Sequence, residues 1–294
     1  MHWHNSAEWA YIINGHCQVT VVDPDGRLEV ANLAPGDLWY FPQGHSHAIH
    51  TLGSEPCHAI LAFNDGRYGE HGTFGITDWM SRYDASTLSQ AFGLSAEVFA
   101  QAPKAETYIM QGSVLPADGP QARAARPLDH ERTHRYALMS QKPRVLTAGG
   151  ALYVASAKEF PMSAGMTGLV LQLKPGAMHE PHWHANANEW HYVLKGRARV
   201  TLFATDKRMA VAELSAGDCA YIPINCGHSI QNIGSEDTEI IGVLDNGIYS
   251  ESSLSDWFAK APRHVVANNL GLSEKAVATL GTKHMVIAPA NSKA

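Results

Sequence analysis

The chain has 294 residues, a formal net charge of −6 and 17 histidines, with 45% hydrophobic and 17% charged residues. That length fits two domains of about 150 residues, each able to bury a core, and the composition excludes a disordered chain. No basic stripe marks a nucleic-acid partner, no apolar run reaches the length of a membrane span, and no basic-then-apolar leader opens the sequence.

The chain opens on "HWH" (residues 2–4), followed by the β-rich runs "EWAYIING" (8–15) and "QVTVVDPDGRLEVANL" (18–33), the latter folded by a "PDG" turn. "DLWYFPQG" (37–44) adds a strand that ends at a proline, which has no ladder donor and belongs at a strand end. Residues 75–102 then carry an amphipathic helical pattern with Asp at its entry, and "LPADGPQARAARP" (115–127) reads as a connector. The second half begins with "ALYVASAKEF" (151–160) and "GLVLQLKPGAMHEP" (168–181), then repeats the first. "HWHANANEWHYVLKG" (182–196), "RVTLFATDKRMAVAEL" (199–214), "CAYIPINCG" (219–227) and a helical tail (253–280) follow the order of their earlier counterparts.

This is a duplication in register. A constant offset of 181 residues links Glu8 to Glu189, Gly15 to Gly196, Gly36 to Gly217, Pro42 to Pro223, His47 to His228, Tyr68 to Tyr249 and Glu70 to Glu251. Only the first two histidines of each copy differ, by one residue. Such agreement calls for two copies of one domain, with expected limits 1–125 and 126–294. Short strands without βα alternation point to an all-β fold of two small closed barrels or jelly rolls, each followed by helical segments. The first copy has no counterpart of runs 151–160 and 168–181, so its opening strands are expected to be missing. The chain start therefore reads as incomplete; a cytoplasmic location is expected, with secretion left open.

Each copy gathers one ligand set. His2 and His4 alternate on a strand and share a face, Glu8 keeps the same parity, and His47 lies on a later strand. In the second copy His182 and His184 share a face, Glu189 is brought round by a bulge or turn in "HANANE", and His228 completes the set. A lone HxH is usually a polar face; the whole set repeated in register points to metal. Three imidazoles and a carboxylate without thiolate suit Mn(II) or Fe(II), with Zn, Co, Ni and Cu chemically open, and leave two octahedral positions for water, dioxygen or a small acid. Cys17, Cys57, Cys219 and Cys226 lack CxxC spacing and read as buried small hydrophobes, although one or two bridges stay open. His16, His45, His50, His58 and His191 lie outside the repeated pattern and read as structural or surface residues. Trp3 and Trp183 should face away from the metal, packing on outer walls or relaying electrons between sites.

The strings "HWHNSAEWAYIING" with "GDLWYFPQGHSH", and their second-copy equivalents, resemble the two motifs of cupin barrels, with Asn225 in place of the usual turn glycine. The order of "HWH…EW", "GDLWYFP.G" and "DG…T..DW" is similar to the microbial bicupin oxalate decarboxylases over nearly the whole chain. That resemblance implies tandem cupin barrels, Mn(II) at both sites, conversion of oxalate to formate and CO2, dioxygen as co-catalyst, and a homo-oligomer, a trimer or hexamer. It also implies a catalytic first site, with Glu70 on a lid relaying the proton between Gly69 and Gly72. The chain departs from the family pattern in that lid, where Gly69, His71 and Gly72 replace serine and asparagine. The family arginine three residues before the first histidine falls before Met1 in one copy and at His179 in the other, and the second-site glutamate falls at Gly242. The expectation is a metal-binding second site that decarboxylates poorly, and weak activity for the chain as given. An oxalate oxidase releasing peroxide, and a non-catalytic bicupin that binds metal or small acids, are the alternative readings.

Overall fold

A computed structural model describes residues 1–67, 69, 72–123, 125–280 and 284–291. It divides into two compact units, residues 1–140 with 160–163, and residues 141–159 with 164–294.

The first unit holds strands β1 (His2–His4), β2 (Glu8–Asn14), β3 (His16–Val22), β4 (Leu28–Leu33), β5 (Leu38–Phe41), β6 (Ser46–Leu52), β7 (His58–Phe63), β8 (Thr73–Gly75) and β9 (Arg135–Tyr136). They form two sheets, ordered β4-β3-β6-β1-β8 and β7-β2-β5-β9. The core lies between the sheets. Cys17, Val19, Val21, Ala31 and Leu33 from one sheet pack with Ala10, Ile12, Trp39 and Phe41 from the other. Burial of this alternating apolar face is the main driving force for the pairing. The β3–β4 hairpin closes because Asp23 Oδ1 accepts from the amides of Asp25 (3.0 Å) and Arg27 (2.8 Å), with Gly26 at φ 78°. Phe160, returned to this unit by the short segment 160–163, is buried and stacks on Tyr136 at 5.5 Å.

The second unit contains β10 (Val145–Thr147), β11 (Gly150–Ala155), β12 (Thr167–Leu173), β13 (Met178–Trp183), β14 (Glu189–Lys195), β15 (Arg197–Phe203), β16 (Met209–Ser215), β17 (Cys219–Ile222), β18 (Gly227–Asn232), β19 (Thr238–Leu244), β20 (Ser252–Ser253) and β21 (Ile287–Ala288). Its sheets run β10-β11-β12-β19-β14-β17 and β16-β15-β18-β13-β20, with β21 also pairing β13. Leu169, Leu171, Val193 and Ile240 of the first sheet meet Val200, Leu214 and Ile230 of the second in one core.

The expected closed all-β barrels are corrected by these topologies. Among the described residues no sheet closes on itself. The chain passes repeatedly between the two sheets of each unit, which pack through side chains held between two layers. Helices are also part of the fold. The first unit carries α1 (Ile76–Ser81), α2 (Ala85–Phe92), α3 (Ala96–Ala100) and α4 (Pro120–Arg123); the second carries α5 (Leu254–Lys260), α6 (Arg263–Leu270) and α7 (Glu274–Val277). Caps set their starts: Asp84 accepts from the Thr87 amide, Ser253 from Asp256 and Ser273 from Ala276. Among the described residues no helix is long and apolar enough to cross a membrane.

Two backbone positions show why the repeat keeps its punctuation. Gly15 (φ 73°) and Gly196 (φ 82°) turn β2 into β3 and β14 into β15, and a Cβ there would lie 2.2 Å from the Pro56 carbonyl oxygen or 2.5 Å from Thr238 Oγ1. Gly44 (φ 79°) corresponds to Asn225, which adopts φ 65°. Asparagine is among the few side chains that visit this left-handed region routinely, so the departure from the glycine motif keeps the turn.

Candidate metal centres

The first centre forms where β1, β2 and β6 meet. His2 faces His47 across the β1–β6 pair, and His4 and Glu8 come from either side of the bend at Asn5–Ser6. The parity argument for Glu8 therefore gives way to a corner. The chain leaves β1, is tied down by Asn5 N–H to Gly72 O (3.0 Å) and Ala7 N–H to Asn64 Oδ1 (2.9 Å), and re-enters a strand at Glu8. One ligand atom from each of His2, His4, Glu8 and His47 falls within 4.8 Å of all the others. Glu8 Oε2 is 2.8 Å from His4 Nε2 and 3.6 Å from His47 Nε2.

The surroundings orient each group. His47 Nδ1 donates to the His45 carbonyl (2.9 Å), which leaves Nε2 as the lone-pair nitrogen pointing inward. His4 Nδ1 contacts Thr73 Oγ1 at 3.1 Å, and the indole of Trp39 donates to Glu8 Oε1 at 2.9 Å. Burial, followed by the neighbouring His47 and His4, lowers His2 to about 4. Burial alone would raise Glu8, but the adjoining His4 and His47 imidazoles outweigh it and hold the carboxyl down to about 2. A neutral His2 imidazole and an ionised carboxylate are the protonation states that metal ligation requires.

The second centre repeats this plan with closer anchoring. His182 Nδ1 donates to Glu180 O (2.7 Å), His184 Nδ1 to Ser250 O (2.7 Å) and His228 Nδ1 to Cys226 O (3.1 Å). Here too the chain turns between the ligands: residues 184–188 form a loop held by Asn186 Nδ2 on Ile248 O (2.8 Å) and Asn188 on Asp245. His182, His184, Glu189 and His228 present ligand atoms within 4.8 Å of one another. Glu189 is 3.0 Å from His228 Nε2 and 3.3 Å from His184 Nε2. Burial favours its neutral form, yet His191, His184 and His228 keep the carboxyl well below the usual range.

The donor set fits a divalent ion. Among the described residues, the Nε2 atoms of His47, His182, His184 and His228 and Glu189 Oε2 are buried without a hydrogen-bond partner, a costly arrangement unless a cation satisfies those lone pairs.

Several groups escaped the sequence reading. His191, taken there as structural or surface, is 1% exposed and holds Glu189 Oε1 at 2.9 Å. His179, His182 and Glu251 form a third cluster of ligand atoms, with Tyr249 Oη donating to Glu251 Oε2 at 2.5 Å. The constant offset from Glu70 was a usable signal for Glu251. His45, also set aside, has its Nδ1 2.9 Å from His134 Nε2, while His134 Nδ1 lies 2.6 Å from the fully buried Glu29. Glu70 itself lies outside the described residues. Trp3 turns away from the ligands, stacking on Phe74 and meeting Trp79 edge-on, each at 5.5 Å; Trp183 meets Trp257 in the same way at 6.0 Å.

Two stacked-sheet units, each with a three-histidine, one-glutamate cluster at the same strand corner, define a bicupin. The chain belongs to the cupin family, whose model ("Cupin") matches residues 1–99 and 136–278. Within that family it is 35% identical over 301 residues to oxalate decarboxylase OxdC of Bacillus subtilis (strain 168), covering 100% of this chain and 76% of that protein. It is 32% identical over 272 residues to a probable oxalate decarboxylase of Arthroderma benhamiae, covering 91% of this chain and 66% of that one. The structure of oxalate decarboxylase from Bacillus subtilis at pH 4.6 superposes with a TM-score of 0.92 at 33% identity, over 99% of this chain and 75% of that one. A further structure of the Bacillus enzyme, described for its Mn(II) centres, superposes at 0.91 with 33% identity over 99% and 76% of the two chains.

Proposed function

We propose that this protein is a Mn(II)-dependent oxalate decarboxylase, converting monoanionic oxalate to formate and CO2. The observation that carries this reading is the pair of His/Glu clusters in a chain similar over its whole length to the Bacillus decarboxylase. His2, His4, Glu8 and His47 would hold one Mn(II), and His182, His184, Glu189 and His228 the other. The metal supplies Lewis-acid binding of a carboxylate and one-electron chemistry, with dioxygen assigned as co-catalyst.

The chain's own residues supply position and protons. Trp39 and the His45 carbonyl fix Glu8 and His47 so that their lone pairs converge. Glu70 is assigned the proton relay. It accepts the proton of bound hydrogen oxalate, and it returns that proton to carbon once the C–C bond has broken and CO2 has left. The step has no net oxidation.

The aromatic outer faces support a homo-oligomer, a trimer or hexamer, since Phe74, Trp79 and Trp257 are 44%, 50% and 60% exposed. Four free cysteines suit a reducing, cytoplasmic setting. The test is to incubate Mn-loaded protein with oxalate at mildly acidic pH and measure formate, CO2 and peroxide. Equal formate and CO2 are expected. Peroxide in place of formate would make the protein an oxidase, and full metal loading with neither product would make it a binding protein. Glu70→Ala should abolish formate release; unchanged release sinks that assignment.

A further inference from the structure

The two centres share a turn but not what stands behind it. In the first unit, between β5 and β6, the Gly44 amide donates to the His4 carbonyl (3.0 Å) and the His45 amide to the Pro42 carbonyl (3.1 Å). The His45 carbonyl then accepts from His47 Nδ1 (2.9 Å). The second unit repeats these bonds: Asn225 N–H to His184 O (3.0 Å), Cys226 N–H to Pro223 O (3.1 Å), and Cys226 O accepting from His228 Nδ1 (3.1 Å). Each turn therefore holds two ligand histidines through its backbone, and a shift of the turn is a shift of both.

A chain of side chains backs the first turn. Glu29, on β4 and fully buried, accepts from the His134 amide (2.7 Å), from His134 Nδ1 (2.6 Å) and from Thr133 Oγ1 (2.5 Å). These bonds aim the His134 ring, 1% exposed, so that its Nε2 meets His45 Nδ1 at 2.9 Å with one N–H between them. The His134 ring also lies 6.1 Å from Phe41, whose ring stacks on His47 at 4.2 Å. In the second copy the constant offset of 181 places Ala210 at the position of Glu29, Ile222 at that of Phe41 and Cys226 at that of His45. Alanine and isoleucine offer no hydrogen-bonding side chain, and Cys226 packs against the apolar core. A buried carboxylate–imidazole pair is often no more stable than an apolar filling of the same space, so packing alone does not account for Glu29 and His134.

We propose that Glu29, His134 and His45 are positioning residues of the first centre, which fix the 42–45 turn and through it the directions of His4 and His47 about the ion. This rests on the reading that the first cluster holds Mn(II). Metal ligands serve only while held within roughly 0.5 Å and 10–20° of the productive geometry, and a rigid outer shell supplies that restraint. The first centre gets part of it from a buried polar chain, whereas the second has no such chain at the matching positions.

The test uses the full chain carrying His228→Ala, so that the Mn(II) EPR spectrum reports the first centre. His45→Leu fills the space of the ring and removes its hydrogen bond; His134→Phe does the same one link back and reports where the first variant fails to fold. Each is expected to change the Mn(II) EPR spectrum and to weaken manganese about tenfold in competition with a chelator. The double variant should lose no more than the larger single loss, because both cut one chain. His45→Gln, which keeps a side-chain amide facing His134, should restore most of the affinity and the original spectrum. Without His228→Ala, His45→Leu should weaken one of the two manganese ions and leave the other unchanged. An unaltered spectrum and affinity in both single variants overturns the proposal, as does equal weakening of both ions. Absence of manganese from the parent chain would instead sink the metal reading on which it rests.

Discussion

The two centres use one ligand set but hold its carboxylate in opposite ways. In the first unit Ala10 and Trp39 face each other across β2 and β5, and the Trp39 indole donates to Glu8. In the second, the corresponding pair is His191 opposite Ala220, and it is His191 that holds Glu189. The large donor has moved to the other strand and the alanine has moved with it. What is kept is the requirement that a buried carboxylate have a donor and that the space across the pair be filled once. Sequence identity at either position is not kept.

That equivalence can be broken, and the largest effect should come from the ligands. His228→Ala should lower bound manganese from two ions per chain by about half, as read by metal analysis, because one cluster loses a ligand while the other is untouched. Unchanged metal content would mean that the second cluster is not a site. Next in size is the asymmetry beneath the first centre. Glu29 is fully buried, and its carboxylate accepts from the His134 amide at 2.7 Å and from Thr133 Oγ1. Glu29→Ala should cost about 3–5 kcal/mol in denaturant unfolding of the first unit, the usual loss when a buried pair is left with one member.

The same carboxylate sets a pH dependence. Burial would raise its pKa, but the hydrogen bonds from His134 and Thr133 lower it. A depressed carboxylate contributes stability that is present above its unfolded value, near 4.3, and that is lost as pH falls through the folded value. Glu29→Gln should flatten the acid limb of the stability profile on that side; an unaltered limb would assign acid unfolding to other groups. A smaller effect sharpens the comparison itself. Trp39→Phe and His191→Phe should each weaken manganese binding roughly 10–100-fold at their own centre only, measurable by competition with a chelator. Loss at both centres, or at neither, would end the idea of interchangeable clamps. The smallest effect is expected at the turn. Asn225→Gly should be neutral to stabilising by under about 1 kcal/mol by thermal melting, because glycine adopts a positive φ without strain.

The two candidate ligand clusters were legible in the sequence because duplication marked each position twice in nearly constant register, and the Asn225 departure was legible for the same reason. The carboxylate clamps were not. A Trp39 or His191 becomes a clamp only once strand register places it opposite an alanine, and alternation names a face without naming the cross-strand partner. Glu29 and His134 lie on segments separated by 105 residues, so no local pattern joins them. Alternation likewise shows which residues enter a core but not where a hydrogen-bonded path ends, which is why closed barrels were expected and open, stacked sheets were found. Glu251 was visible as the twin of Glu70, yet its neighbours His179 and Tyr249 reach it only through the bend before β20.

The four-residue return of the chain at 160–163 has a consequence for anyone who would take the protein apart. The backbone changes unit three times, so no single cut yields two intact halves. A break after Ser140 strands Phe160 on the wrong fragment and removes the ring that covers Tyr136. The duplicated copies are thus stitched together by a crossover, and separating them requires re-engineering connectivity as well as cleavage.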